Sequence, residues 1–209
     1  MLAAVILSAG ESSRMGSPKA LVPFRGRTFL EHLLAAVEAN RISQNPTESS
    51  AAIRGIGLTR VVLGAHVQEI TGKLSLDPAD VVVNSDWKQG QLSSIQAAIR
   101  SLPEKQTDGI LLFLVDHPLV SAAVVGEIIT QFYETGRPIV LPKFRGKRGH
   151  PVIFARRLYD ELLAAPADQG ARAVVWAHAP EVLEVPTEDE GVVLNLNDPE
   201  TLRRALEQY

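Results

Sequence analysis

Along this chain, short and continuously apolar runs alternate with longer segments whose apolar residues recur every three or four positions. The runs at 3–7, 60–63, 81–83, 110–115 and 139–141 lack the polar alternation of a half-wet strand, so they predict strands buried on both faces. Between them lie "TFLEHLLAAVEA" (28–39), "VQEITGKL" (67–74), "LSSIQAAIRSL" (92–102) and "SAAVVGEIITQFYETG" (121–136), each with the apolar stripe of an amphipathic helix. The last third is less regular: "HPVIFARRLYDELLA" (150–164) predicts a short strand and then a helix, "ARAVVWAHA" (171–179) a helix and "EVLEVP" (181–186) a strand. The terminal "DPETLRRALEQ" (198–208) predicts a helix with Asp198 as N-cap and Pro199 in its first turn.

Alternation of this kind implies an α/β fold with a mostly parallel sheet, helices on both faces and right-handed crossovers. Ligands of such sheets sit at the carboxyl ends of the strands. The less regular last third reads as a strand-rich annex to the same domain, so the whole of 1–209 is expected to be one domain. One segment breaks the rhythm: "NRISQNPTESSAAIRGIGL" (40–58), rich in Asn, Ser, Gln and Gly, predicts a surface loop insertion over 41–58.

Composition narrows the function. With 45% hydrophobic and 22% charged residues the chain can bury a core, and its net charge of -3, with both signs interspersed, supplies no field for a nucleic-acid backbone. The absence of cysteine removes disulfides, thiol nucleophiles and cysteine-ligated metals, and the five histidines show no HExxH spacing. The first residues lack the basic start of a leader, and no run reaches the roughly 20 apolar residues of a membrane span, so no membrane and a cytoplasmic location are expected.

The candidate chemistry gathers where strands end. In "ILSAGESSRMGSPKAL" (6–21) a buried strand runs straight into Gly10, Arg14, Gly16 and Lys19. Exposed N–H groups on such a loop cradle phosphate oxygens, and Arg14 and Lys19 supply charge for them. The spacing is neither GxxxxGK[ST] nor GxGxxG, and Pro18 and Pro23 prevent the long helix of a P-loop or dinucleotide fold, which disfavours a nicotinamide oxidoreductase. The plain alternative is a surface turn with solvated cations.

Asp116 closes the apolar run of "LLFLVDHPLV" (111–120), where a carboxylate suits Mg²⁺ shared with substrate phosphates or merely caps a turn. In "VVLNLNDPETL" (192–202), read as another strand end, Asn197 is a second metal or phosphate ligand, or Asp198 simply caps the next helix. Asn84 at a strand end and Ser93 and Ser94 opening a helix form a place for a base, a ribose or an anion. In "KRGHP" (147–151), Lys147, Arg148 and His150 read as a flexible basic loop for an anionic second substrate, or as a solvated turn.

These segments, in this order, resemble the MobA-like nucleotidyltransferase superfamily, whose signature LxxGxSxRMGxxKxL stands here as "LSAGESSRMGSPKAL" (7–21). The resemblance continues through "VDHPLV", "GHPVIF", "DQGARAVV" and "LNDPETL", and Ala9 and Pro18 are similar to the molybdopterin cytidylyltransferase branch. Ser8, His117 and the "NLNDPET" stretch depart from that branch, which usually has Ala, Gln and a more acidic motif there.

The resemblance implies a three-layer α/β/α, Rossmann-like nucleotidyltransferase fold. It implies transfer of CMP from CTP to the phosphate of molybdopterin, with release of pyrophosphate. In that reading Arg14, Lys19 and Asp116 are catalytic, and Leu7, Ser8, Ala9, Gly10, Arg14, Lys19, Asn84 and Ser94 bind the nucleotide. Mg²⁺ sits on Asp116 and Asn197, His150 meets the acceptor, and a molybdoenzyme or its chaperone is a transient partner. The alternatives are another phosphorylated acceptor, GTP in place of CTP, or a nucleotide-binding regulator without catalysis.

Overall fold

The computed structural model describes residues 1–42 and 54–208. At its centre is β1 (Leu2–Ser8), followed in chain order by β2 (Pro23–Phe24), β3 (Arg27–Thr28), α1 (Phe29–Glu38), β4 (Ile56–Leu63), α2 (Val67–Lys73) and β5 (Val81–Val83). Next come α3 (Gln91–Ser101), β6 (Gly109–Leu114), α4 (Ala122–Thr135), β7 (Ile139–Phe144), β8 (Lys147–Arg148) and β9 (Val152–Ala155). The chain closes with α5 (Tyr159–Ala164), α6 (Arg172–Ala177), β10 (Val182–Pro186) and α7 (Pro199–Gln208).

The main sheet is ordered β10-β7-β9-β6-β1-β4-β5, with β8 attached to β7. Every pair from β6 to β5 is parallel, whereas β9 runs antiparallel to both β6 and β7. Through β9 the irregular last third joins the same sheet. All seven residues of β1 are buried, which explains the unbroken apolar run.

Side chains alternate across a strand, so Leu2, Ala4 and Ile6 enter one core with residues of α1, α2, α4 and α7. Ala3, Val5 and Leu7 enter the other with residues of α3, α5 and α6. Each fully buried Val, Leu or Ile side chain contributes about 1.5–3 kcal/mol, and two such faces give the three layers their cohesion. Helix ends follow local chemistry. Thr28 and Glu31 form a capping box at α1, Ser121 caps α4, and Gly136 ends α4 at φ 64°.

Several expectations need correction. The strand read at 60–63 begins at Ile56, held by the bridge between Arg41 and Ile56, so the insertion ends sooner; its residues 43–53 lie outside the described ones. β5 is an edge strand, paired among the described residues with β4 alone, and its last residue, Val83, is 58% exposed rather than buried on both faces. Residues 194–197 form no strand; their backbone turns back across the end of β6, where Leu196 N–H donates to the Asp116 carbonyl at 2.8 Å. The "KRGHP" stretch is no free loop: Lys147 and Arg148 pair with β7, and Gly149 is buried.

Two hairpins escape the periodicity argument. Both turn on the same tripeptide, Phe24-Arg25-Gly26 and Phe144-Arg145-Gly146, whose Arg and Gly both take positive φ (46° and 81°, 45° and 83°). That is the signature of a two-residue turn matched to strand twist, so the repeated Phe-Arg-Gly was the available signal.

Candidate functional site

The loop after β1 is shaped by two left-handed residues, Ser12 (φ 56°) and Gly16 (φ 69°), which bracket a 3₁₀ turn at Ser13–Met15. Ser12 then accepts a hydrogen bond on Oγ from Lys19 N–H at 3.1 Å, closing the loop on the next turn, Lys19–Leu21. The closure aims the Lys19 side chain back toward the sheet edge. Its Nζ donates to Asp116 Oδ2 at 3.1 Å and to Asn197 Oδ1. Both members of the ion pair are largely withdrawn from water, at 15% and 17% side-chain exposure, so it is far less screened than a surface pair.

Asp116 stands two residues past β6 and is fixed from the C-terminal segment. Besides the Leu196 N–H bond to its carbonyl, Asn195 Nδ2 donates to Oδ2 at 3.3 Å. Three stretches far apart in sequence thus present one carboxylate to one ammonium.

A cleft of about 380 Å³ opens beside this cluster. Leu7, Ser8, Ala9, Gly10, Lys19, Ser94 and Asp116 line it, seven of the residues singled out from sequence, and the rest of the wall includes Ser12, Trp87, Lys88 and Gln91. A β-carbon on Gly10 would meet no protein atom, so its openness faces the cleft rather than relieving a clash. Asn84 does not line the cleft; it stands behind, donating from Nδ2 to Ser93 Oγ at 2.9 Å and Ser94 Oγ at 3.0 Å. The N-terminus of α3 opens here without a side-chain cap, leaving N–H groups and the positive end of the helix dipole at the wall.

Two expected residues fall elsewhere. Arg14 is exposed on the 3₁₀ turn and does not line the cleft. Its charge reaches Asp198, whose carboxyl is held below the usual range chiefly by the Thr201 N–H. That N–H bond, at 2.9 Å with a second from Glu200 N–H at 3.1 Å, makes Asp198 the helix cap that the sequence suggested.

His150 lines a second cavity of about 400 Å³, which shares Gln91 of α3 with the first. Burial, with the neighbouring His117, pushes its imidazole down to about 4, so it is neutral near pH 7. The two rings lie 5.2 Å apart, and burial also lowers His117, against the pull of Asp116.

Ser12, Trp87, Lys88, Gln91 and His117 were not assigned a role from sequence. Only Ser12 carried a signal, as the serine of the LxxGxSxRMGxxKxL signature. The others owe their place to packing. Gly64 shows how: a β-carbon there would lie 2.5 Å from the Ala9 carbonyl and 2.7 Å from Trp87 Cβ, so the indole seats itself against that glycine.

Could a divalent ion be held here? Among the described residues no three His, Cys, Asp or Glu side chains gather. Yet the Asp116 carboxylate and the Asn197 carboxamide oxygen converge on one cationic point, the Lys19 ammonium. Two hard oxygens fit an ion that takes its remaining ligands from phosphate oxygens and water.

Comparison with known proteins agrees with this architecture. The family described as MobA-like NTP transferase domain matches residues 4–182. A protein named nicotine blue oxidoreductase, from Paenarthrobacter nicotinovorans, is 32% identical over 181 residues, spanning 80% of this chain and 78% of its own. The molybdenum cofactor cytidylyltransferase of Escherichia coli is 23% identical over 206 residues, spanning 98% and 95%. Among solved structures, Rv0371c of Mycobacterium tuberculosis superposes with a TM-score of 0.80 at 27% identity over 99% and 98% of the two chains. A structure of Rv0371c in complex with manganese gives 0.76 at 26% identity, over 100% and 99%. The chain belongs to the MobA-like NTP transferase domain family.

Proposed function

We propose that this nucleotidyltransferase-family chain transfers CMP from CTP to the phosphate of a molybdopterin acceptor. An acceptor phosphate oxygen attacks the α-phosphorus in line, the bond to the bridging oxygen between the α- and β-phosphates breaks, and pyrophosphate leaves with that electron pair. No covalent enzyme intermediate is required. The observation that carries the reading is the convergence of Lys19, Asp116 and Asn197 beside a strand-end cleft roofed by the loop after β1.

Each residue then has a physical task. The backbone of the loop and the N-terminus of α3 offer N–H groups to the triphosphate, and Lys19 moves its charge from Asp116 to the transferring phosphates. Leu7, Ser8, Ala9 and Gly10 flank the base and ribose, with Ser94 held in place by Asn84. Arg14, exposed on the 3₁₀ turn of the same loop, would supply charge to the outer phosphates. Asp116 and Asn197 would hold Mg²⁺, which when bound neutralises phosphate charge. The fit of their oxygens and the manganese complex of Rv0371c support a divalent ion in this role. CTP is preferred over GTP because Ala9 and Pro18 match the cytidylyltransferase branch.

The test is pyrophosphate release with each NTP, with and without molybdopterin. Release that needs both CTP and molybdopterin is expected. Release with GTP or with another phosphorylated acceptor moves the specificity, and nucleotide binding without release makes the chain a regulator. A second reading is favoured by the 32% identity to a protein named an oxidoreductase. In it the cleft takes a nicotinamide dinucleotide despite the missing GxGxxG. Oxidation of NADH or NADPH coupled to two-electron reduction of an added quinonoid dye, without any pyrophosphate release, would establish that reading in place of the first.

A further inference from the structure

We propose that the second cavity is the seat of the acceptor, and that it selects a planar aromatic ring bearing a negative charge, with Trp176 as the stacking face and Arg172 as the charge partner. The word acceptor rests on the transferase reading; the ring-binding site stands on its own geometry.

The floor is apolar and buried: Ile95 of α3, Leu112 of β6, Leu141 of β7 and Phe154 of β9 meet there. A volume of about 400 Å³ suits a small ring system rather than a metal or a lone phosphate. Over this floor stands Trp176 of α6, 57% exposed, one of three large hydrophobic side chains left in water among the described residues. An indole kept half wet at the rim of an apolar cavity presents a π-face, which every flat heterocycle can stack upon.

Charge sets the sign. Two arginines reach the cavity, but Arg148 is engaged, its Nε donating to Glu184 at 2.7 Å. Arg172 forms no ion pair among the described residues; its guanidinium lies over one face of the Trp176 ring, 5.9 Å from the centroid, which leaves the opposite face for a flat ligand. A cation beside the stacking face, with no carboxylate of its own, favours an anionic ring or a ring with an anionic arm.

Position joins this seat to the chemistry. Gln91, the first residue of α3, lines both cavities, so a ligand in the second can extend an oxyanion past Gln91 into the first. His150 lies on the same route, with its ring 5.2 Å from that of His117 next to Asp116.

The chain's two tryptophans make the idea testable, because Trp87 lines the first cavity and Trp176 the second. In a Trp87→Phe protein, pterin-6-carboxylate, a flat heterocyclic anion, should quench the remaining indole saturably; in Trp176→Leu it should leave the Trp87 emission unchanged. Calorimetry should show binding about tenfold weaker in Trp176→Leu and in Arg172→Ala, and no binding of cyclohexanecarboxylate. Absence of saturable quenching of Trp176, or unaltered affinity in both variants, overturns the proposal. If the probe binds as described but CTP yields no pyrophosphate, the transferase reading fails and the ring site survives. If pyrophosphate release holds and Trp176→Leu keeps the wild-type acceptor KM, the seat is wrong and the transferase reading survives.

Discussion

The first cleft takes Leu7, Ser8, Ala9, Gly10, Ser12 and Lys19 from one unbroken stretch of chain, whereas the second draws its walls from α3, β6, β7, β9 and α6. Their sizes are nearly equal, about 380 and 400 Å³. Their chemistry is not. The first is organised around an ammonium held between a carboxylate and a carboxamide, and the second around an apolar floor with one indole at its rim. A loop that must bind phosphate needs several backbone N–H groups in sequence, so such a site is encoded locally. A surface that holds a ring needs only scattered apolar side chains brought together, so it is encoded by topology.

The largest expected effect comes from the charge cluster. Asp116→Ala removes the partner of Lys19 and the proposed carboxylate ligand, so kcat/KM for pyrophosphate release should fall about 10³-fold while pterin-6-carboxylate still binds the second cavity. Turnover within tenfold of the native protein, with the Mg²⁺ requirement unchanged, would erase the division between the two sites. Lys19→Ala should cost about 10²-fold in kcat/KM, or ~2.7 kcal/mol, with the thermal melt near native. Native turnover would remove Lys19 from the chemistry.

A matched pair of glycine substitutions sharpens the contrast. Gly64→Ala drives a β-carbon to 2.5 Å from the Ala9 carbonyl, and Gly149→Ala drives one to 2.5 Å from the Val192 carbonyl. Each should lower stability by about 1–3 kcal/mol. Gly64→Ala, which also displaces Trp87, should weaken CTP binding and spare the probe; Gly149→Ala, in the wall of the second cavity, should do the reverse. Equal losses of both ligands in both variants would mean that the cavities behave as one.

The smallest effect concerns pH and belongs to the end of α6, the helix that carries Trp176. His178, just past α6, meets Glu181 at 2.9 Å and Glu161 of α5 at 2.8 Å. Those hydrogen bonds, Glu181's first, hold its ring above the ordinary value of 6.5. Because the folded value is raised, the stabilisation is complete below pH 6.5 and is lost as pH rises through the higher folded value. Tm should therefore decline slightly over that interval, and His178→Ala should flatten the decline. A Tm rising with pH across it would reverse the assignment.

The strand-end principle made the first cleft legible. A buried run ending in Gly10 and Lys19, and another ending near Asp116, had to meet at one edge once the strands were parallel. The same reasoning missed β8 and the hairpin at β2 and β3, because strands of two residues are too short to carry a period. It misread 192–197 as a strand, since apolar residues recur there for another reason: Val192 and Leu196 fill the core beneath a segment with no ladder partner. Arg14, named from its motif spacing, projects into solvent because the left-handed turn at Ser12 and Gly16 rotates it outward.

By itself the sequence determined the alternation of strands and helices, the burial of β1 and the loop that would carry the phosphate chemistry, since periodicity and contiguous motifs are local properties. Only the tertiary structure decided that Asn195 and Asn197 return to Asp116, that β9 enters the sheet antiparallel, and that Trp176 overlooks an apolar floor beside Gln91. Such meetings depend on which strand lies next to which, and that order is fixed by the joint burial of two sheet faces rather than by any short stretch of residues.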